Sequence, residues 1–257
     1  NFFVGEIKIT VISDGYFTRP ISTIATNTSE EELLRFLKQY YLSTETSDRY
    51  ANLLVIDNGK AKILVDVGSG SRFLPTTGKL FENLAKAAIE PEEITHVFLT
   101  HAHPDHIWGI RDEFDEAIFP NAEYIMSETE YNWWLNQDRI NKVDESFITT
   151  VLGAQNSLLA LPEITLVKGR IELSNGIECL PTPGHTPGHT SILVNNNNMS
   201  LIISGDALID PQISFKSPEW INDTDMDGDM TVTSRKLLLE MAASERATIL
   251  GYHFPFP

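Results

Sequence analysis

The six residues His101-Ala102-His103-Pro104-Asp105-His106 constrain this chain more than any other feature. Of seven histidines in 257 residues, three fall within this run, with an aspartate between them. Just upstream, Ile94 to Leu99 reads as a buried strand running directly into Thr100-His101. A strand fixes where the loop begins, and the loop can then turn several side chains inward. Imidazole nitrogens and carboxylate oxygens are zinc's usual ligands besides thiolates. Four such groups in one loop exceed the need of a single catalytic ion, which keeps a coordination position open. The surplus points to two ions.

Further ligand-type residues recur at other strand ends. Pro183-Gly184-His185-Thr186-Pro187-Gly188-His189 follows a strand ending at Leu180, Ser204-Gly205-Asp206 closes a strand from Leu201, and Gly251-Tyr252-His253 closes the last one. Each is weak alone, since a strand-end Asp is usually a cap or a turn residue. Together with the first cluster they supply five His and two Asp, enough for a dinuclear site. His189 repeats the Pro-Gly-His setting without a vacancy in the ligand count and reads as structural. His96 reads as a hydrogen-bonded core histidine inside a strand.

The rest of the chain alternates strands and helices. Ile7, Ile9 and Val11 mark a half-buried strand over Glu6–Ser13, and Thr28 with Glu31 reads as a capping box opening a helix. Asp57-Asn58-Gly59 between Asn52–Ile56 and Ala61–Val65 signals a hairpin. Helices are expected over Leu80–Ala88, Glu128–Leu135, Glu145–Leu159 and Thr231–Ala243. Strands are expected near Glu123–Met126 and over Ile164–Val167, Ile177–Leu180, Thr190–Val194, Leu201–Ser204 and Thr248–Leu250. The second half echoes the first, so the expectation is one domain, 1–257, in two pseudo-equivalent halves at about 1–126 and 160–257. An α+β arrangement follows, with β-sheets packed face to face and helices outside.

Composition narrows the partners. Nineteen basic residues face 36 acidic ones, a formal charge of −17. That field repels phosphate backbones and anionic membrane surfaces, so neither nucleic acid nor membrane is expected, and neutral or cationic substrates are favoured. No apolar run approaches the roughly 20 residues needed to cross a bilayer. Nothing at Asn1-Phe2-Phe3 reads as a signal peptide, yet there is no initiating Met, which leaves the compartment open between cytoplasm and export or periplasm. The lone Cys179, in an apolar strand-like run, reads as a buried inert thiol.

The order His-x-His-x-Asp-His, then His, Asp and His at later strand ends, resembles the metallo-β-lactamase superfamily. Ile12-Ser13-Asp14-Gly15, Thr26-Asn27-Thr28, Leu64-Val65-Asp66-Val67-Gly68 and Gly251-Tyr252-His253-Phe254-Pro255-Phe256-Pro257 look like its methyl parathion hydrolase-like branch, with lactonase and arylesterase relatives. The resemblance spans essentially the whole chain. It implies a four-layer αββα sandwich and, from relatives, a homodimer. It also implies one metal on His101, His103 and His185, a second on Asp105, His106 and His253, and Asp206 bridging them. Asp105 and Asp206 would thereby serve catalysis, through a metal-bridging hydroxide that attacks a lactone, aryl ester or phosphotriester. Zinc suits the nitrogen-rich set, while iron, cobalt or manganese also fit it. Asp66 either orients a ligand His or caps the following loop.

In related hydrolases, aromatics line an apolar pocket above the metals. The matching candidates here are Phe73, Trp134 and Phe147, against an ordinary core role for each. Trp108 replaces the usual Gly after the first cluster and is expected near the mouth. The Ala207-Leu208-Ile209 stretch stands where acyl-homoserine lactonases carry a helpful Tyr, which makes Leu208 a pocket candidate. Such an uncharged pocket favours small neutral ester-like or phosphotriester substrates. The alternatives are thioester hydrolysis of the glyoxalase II type, for which no basic residues stand out in the sequence, and a non-catalytic metal-binding protein on the same fold. Asp223-x-Asp225-x-Asp227-Gly228-Asp229 mimics the start of a calcium loop. Ser234 in place of the closing Glu makes an acidic loop the plainer reading.

Overall fold

A computed structural model describes residues 1–112 and 114–256; Pro257, the last residue of the terminal motif, lies outside them. Most interior strands carry runs of successive buried residues, as strands covered on both faces require, and they build two mixed sheets. The first contains β1 (Phe2–Val4), β2 (Ile7–Pro20), β3 (Thr46–Asp57), β4 (Lys62–Val65), β5 (His96–Leu99), β6 (Glu123–Ser127) and β7 (Thr165–Val167), side by side in chain order. Pairing is antiparallel from β1 to β4 and parallel from β4 to β7. The second contains β8 (Ile171–Ser174), β9 (Ile177–Pro181), β10 (Thr190–Asn196), β11 (Met199–Ile203) and β12 (Thr248–Leu250), ordered β12-β11-β10-β9-β8. Here only the β11–β12 pair is parallel.

Side chains on successive strand residues point to opposite faces, and the core divides accordingly. Leu54, Ile56, Ile63, Val65, Phe98 and Ile125 of the first sheet meet Ile177, Cys179, Ile192, Val194, Leu201 and Ile203 of the second in one buried layer. The intervening residues Leu53, Val55, Leu64, Val97, Leu99 and Met126 face the other way, onto α2 (Leu80–Lys86), α4 (Glu128–Trp134) and α5 (Glu145–Leu159). On the far side, Leu180, Leu193 and Ile202 pack under Leu238 and Ala242 of α7 (Gly228–Glu245). The order is helix, sheet, sheet, helix. The remaining α-helices are α1 (Glu30–Gln39), α3 (Pro104–Ile107) and α6 (Pro211–Lys216), and α1 covers its own small cluster with Trp220. Among the described residues no helix is long and apolar enough to cross a membrane.

Several local expectations shift. The N-cap of α1 is Ser29, whose side chain accepts from Glu32 N, while Thr28 donates its hydroxyl to the Glu32 carboxylate instead of forming a box with Glu31. The β7 strand, grouped by sequence with the second half, pairs with β6 at the edge of the first sheet. His96 opens β5 only half-buried, bonded to Thr95 Oγ1, rather than sitting in the core. The Asp57-Asn58-Gly59 hairpin is present, with Asn58 Oδ1 accepting from Ala61 N at 2.8 Å. Three of the four aspartates of the calcium-like run diverge: Asp223 pairs with Arg19, Asp225 with His185, and Asp227 caps α7. They share no common centre.

Candidate metal centre

Parallel strands deliver their carboxyl ends to one edge of a sheet, where open α/β sheets place their sites. The loop after β5 carries His101 and His103, and the short helix α3 carries Asp105 and His106. From the second sheet, the turn after β9 brings His185, the end of β11 brings Asp206, and the end of β12 brings His253. All seven side chains are buried. They form three overlapping groups with ligand atoms in mutual reach: His101, His103 and His185; His101, His106 and Asp206; Asp105, His106 and His253.

The distances show how tightly they converge. His103 Nδ1 lies 2.9 Å from His185 Nε2 and 3.1 Å from His101 Nε2. Asp206 reaches His106 at 3.3 Å, His185 at 3.3 Å and His253 at 3.1 Å, and Asp105 lies 3.4 Å from His253. Asp206 therefore stands between the two histidine sets.

The outer ring nitrogens decide which tautomer faces the centre. His253 Nδ1 sits 2.7 Å from the Tyr50 carbonyl, which only accepts, so that nitrogen carries the hydrogen. His106 Nδ1 donates to Asp66 at 2.8 Å and His185 Nδ1 to Asp225 at 2.9 Å. Each of these three rings then presents a bare Nε2 lone pair inward. Asp66 thus orients a ligand-type histidine; it also accepts from Thr100 N and Oγ1, from a left-handed φ of 62°.

The electrostatics agree with a cation-binding centre. Burial, reinforced by neighbouring imidazoles, pushes His101 and His103 well below the usual histidine range, leaving them neutral donors of electron pairs. Burial also opposes charge on His106, but Asp206, Asp105 and Asp66 outweigh it and hold this ring well above that range, an attraction for positive charge that a divalent ion at Nε2 would satisfy in place of the proton. Against burial, His253, His106 and His185 hold Asp206 well below the ordinary carboxylate range. Asp105 Oδ2, Asp206 Oδ1 and His106 Nε2 are buried without hydrogen-bond partners. Lone pairs facing one another at such distances repel unless a cation lies among them. The donor set fits a pair of divalent ions.

Two residues hold these loops in place without joining the set. Glu130, fully buried in α4, accepts from Ala102 N, Trp134 Nε1, Thr186 Oγ1 and Gly188 N, tying the His101–His103 loop to the His185 turn. His189 accepts from Asp206 N at 3.0 Å and faces Thr182 Oγ1 at 2.8 Å, and burial drives its pKa down to about 3. Its structural role is to anchor the Asp206 backbone. Gly205 beneath it has a φ of 53°, and a Cβ there would come 2.7 Å from His189 Nε2. The sequence did not single out Glu130, and Asp225 stood out only as part of the calcium-like run; a lone acid in a helix or a loop carries no mark of its partners.

Above the cluster opens a cavity of about 590 Å³ reached by His103, Asp105, Asp206 and His253. Phe73 and Phe147 line it. Three other pocket candidates do not. Leu208 is fully buried under α7, in the core with Leu180 and Leu193, and Ile209 takes its place at the wall. Trp134 is buried behind Phe147, its indole nitrogen donating to Glu130 at 2.6 Å. Trp108 lies against Gly153 of α5, where a Cβ would meet the ring at 2.3 Å. The wall is also not uncharged, because Arg19, Arg49 and Lys142 line it.

The fold and the buried ligand cluster define a metal-site protein of the αββα class. The profile of the Metallo-beta-lactamase superfamily matches residues 46–253, and the chain belongs to that superfamily. It is 25% identical over 173 residues to an N-acyl homoserine lactonase of Bacillus sp, covering 66% of this chain and 60% of that relative. It is 34% identical over 114 residues to the uncharacterized protein YobT of Bacillus subtilis (strain 168), covering 44% of this chain and 46% of that protein. The chain thus spans about 60% of the length of the curated lactonases it matches. Among solved structures, AidC, a dizinc quorum-quenching lactonase in complex with a homoserine product, superposes with a TM-score of 0.91 at 29% identity, covering 100% of this chain and 90% of AidC. AbOPH, a hydrolase of the β-lactamase superfamily, gives 0.91 at 28% identity with the same coverages.

Proposed function

We propose that this chain is a metal-dependent hydrolase that opens a lactone or cleaves a related ester, using two divalent ions, zinc in the first instance. His101, His103 and His185 would hold one ion, Asp105, His106 and His253 the other, and Asp206 both. When bound, such ions polarise the carbonyl under attack and bring the pKa of a water towards neutrality. The reading rests on one observation: three imidazoles from separate strand ends are locked by Asp66, Asp225 and Tyr50 O with their lone pairs inward.

The chain's own residues contribute position and exclusion. Asp105 and Asp206 reach the cavity floor as buried carboxylates, so the ions they would hold stand where the substrate's carbonyl arrives. Phe73, Phe147 and Ile209 offer apolar contact for an acyl portion and keep bulk water off the reacting carbonyl. The likeness to a dizinc lactonase over the full chain supports this choice of substrate class.

Metal analysis together with turnover of a γ-lactone, an aryl acetate, a phosphotriester and a thioester tests the proposal. The expectation is close to two ions per chain and turnover of the lactone or the aryl ester. Fewer than one ion per chain, or no turnover across the panel, would defeat it.

A further inference from the structure

Arg49 is a buried charge that no carboxylate pairs with directly, although Asp210, Asp206 and Asp223 act on it from further off. It lies on β3 directly across from Phe17 of β2, only 4% exposed, and lines the cavity. Among the described residues no carboxylate comes within ion-pairing distance of it, and its Nε is buried without a hydrogen-bond partner. The other basic residues of the wall differ. Arg19 is held by Asp223 at 2.6 Å, and Lys142 is exposed at the mouth. A buried, unpaired guanidinium is costly unless something ionic meets it.

The nearby carboxylates are already engaged. Asp210, the carboxylate whose charge acts most on Arg49, caps α6 by accepting from Ile213 N, Asp206 faces His106, His185 and His253, Asp225 holds His185, and Asp223 holds Arg19. Phe17, opposite Arg49, stands with its ring 5.7 Å from that of His253 and 5.4 Å from that of Phe73. The β2–β3 wall therefore joins an aromatic surface beside the ligand cluster to a planar cation with free donors. A guanidinium fork matches a carboxylate or sulfonate with two parallel hydrogen bonds.

We propose that Arg49 is a specificity-determining residue that binds an anionic group on the substrate, so that the preferred ester or lactone carries a carboxylate or similar oxyanion away from its reacting carbonyl. This rests on the hydrolase reading above and deepens it. It also reverses the expectation of a neutral substrate drawn from overall charge: the buried wall, not the acidic exterior, meets the ligand.

Two readouts separate the proposals. The first is calorimetric binding of 4-phenylbutane-1-sulfonate, a poor metal ligand, to the metal-loaded protein, with Arg49→Met and Arg49→Lys compared after thermal melts establish folding. Binding should weaken by about tenfold or more in Arg49→Met, as expected for losing a charge-assisted hydrogen bond, with part retained in Arg49→Lys. The second is the ratio of kcat/KM for mono-4-nitrophenyl glutarate to that for 4-nitrophenyl hexanoate, which should fall by a similar factor in Arg49→Met. Sulfonate binding that needs Arg49 without any ester turnover would keep the anion site and defeat the hydrolase reading. Turnover of esters with sulfonate binding absent, or equal in wild type and Arg49→Met, would overturn the role of Arg49 and leave the hydrolase standing.

Discussion

His185 Nδ1 and Asp225 Oδ1 lie 2.9 Å apart, both fully buried, at the junction between the turn after β9 and the loop before α7. Asp225 is itself held, accepting from Asn222 N at 2.9 Å with Arg235 3.7 Å away. The bond makes a distant loop part of the ligand geometry, because it sets the ring orientation and keeps Nε2 bare.

Asp225→Asn should therefore weaken metal retention by about 10–100-fold, the usual effect of removing a carboxylate behind a ligand histidine. Competition with a chromophoric chelator reads this directly. Unchanged retention would show that His185 needs no such support.

Removal of metal should loosen the whole fold rather than a single loop. Seven buried donors left facing one another repel, and a ligand present at 100 times its Kd stabilises by about 2.7 kcal/mol. Dialysis against a chelator should lower Tm by several degrees, and added zinc should restore it. A melting curve indifferent to chelation would argue against bound ions.

Glu130→Ala should destabilise by about 3 kcal/mol or more, since it strands buried donors from Ala102, Trp134, Thr186 and Gly188, each worth about 1–3 kcal/mol when left unmet. Denaturant unfolding measures this. The same variant should bind metal less tightly, because both histidine loops lose their common anchor.

Asp14 offers a pH-dependent test away from the ligands. It accepts from Ser69 N, Gly78 N and Leu80 N, yet burial outweighs these bonds and raises its pKa. A carboxyl raised on folding binds more protons in the native state, so its contribution is full below the ordinary carboxylate pKa and is lost as pH rises through the folded value. The stability gap between wild type and Asp14→Asn should be wider at pH 4 than at pH 7. A gap that widens with pH would reverse the assignment.

The ligand set was legible because its chemistry is dense: three histidines and an aspartate in six residues at the end of a buried strand admit few structural uses. The two-faced strands were legible because Leu53 to Ile56 and Val97 to Leu99 are apolar on both faces, as a sheet covered on each side requires. Shorter strands at the margins, β1 and β8, carry too few residues to show a period. The polar stretch of β2 beyond Ser13, which brings Phe17 and Arg19 to the cavity, does not alternate in apolar character. The wall of the pocket was the least legible part. Whether Trp134 faces a substrate or Glu130, and whether Arg49 meets a carboxylate or nothing, depends on partners tens or hundreds of residues away.

Each of the three ligand groups mixes residues from the first sheet's segments with at least one from the second's. Neither half of the molecule, taken by itself, can assemble a full cage. Loading with metal is thus a report on whether the two sheets have docked in register, and a substitution deep between them, far from the cavity, would first be noticed as a protein that empties too easily.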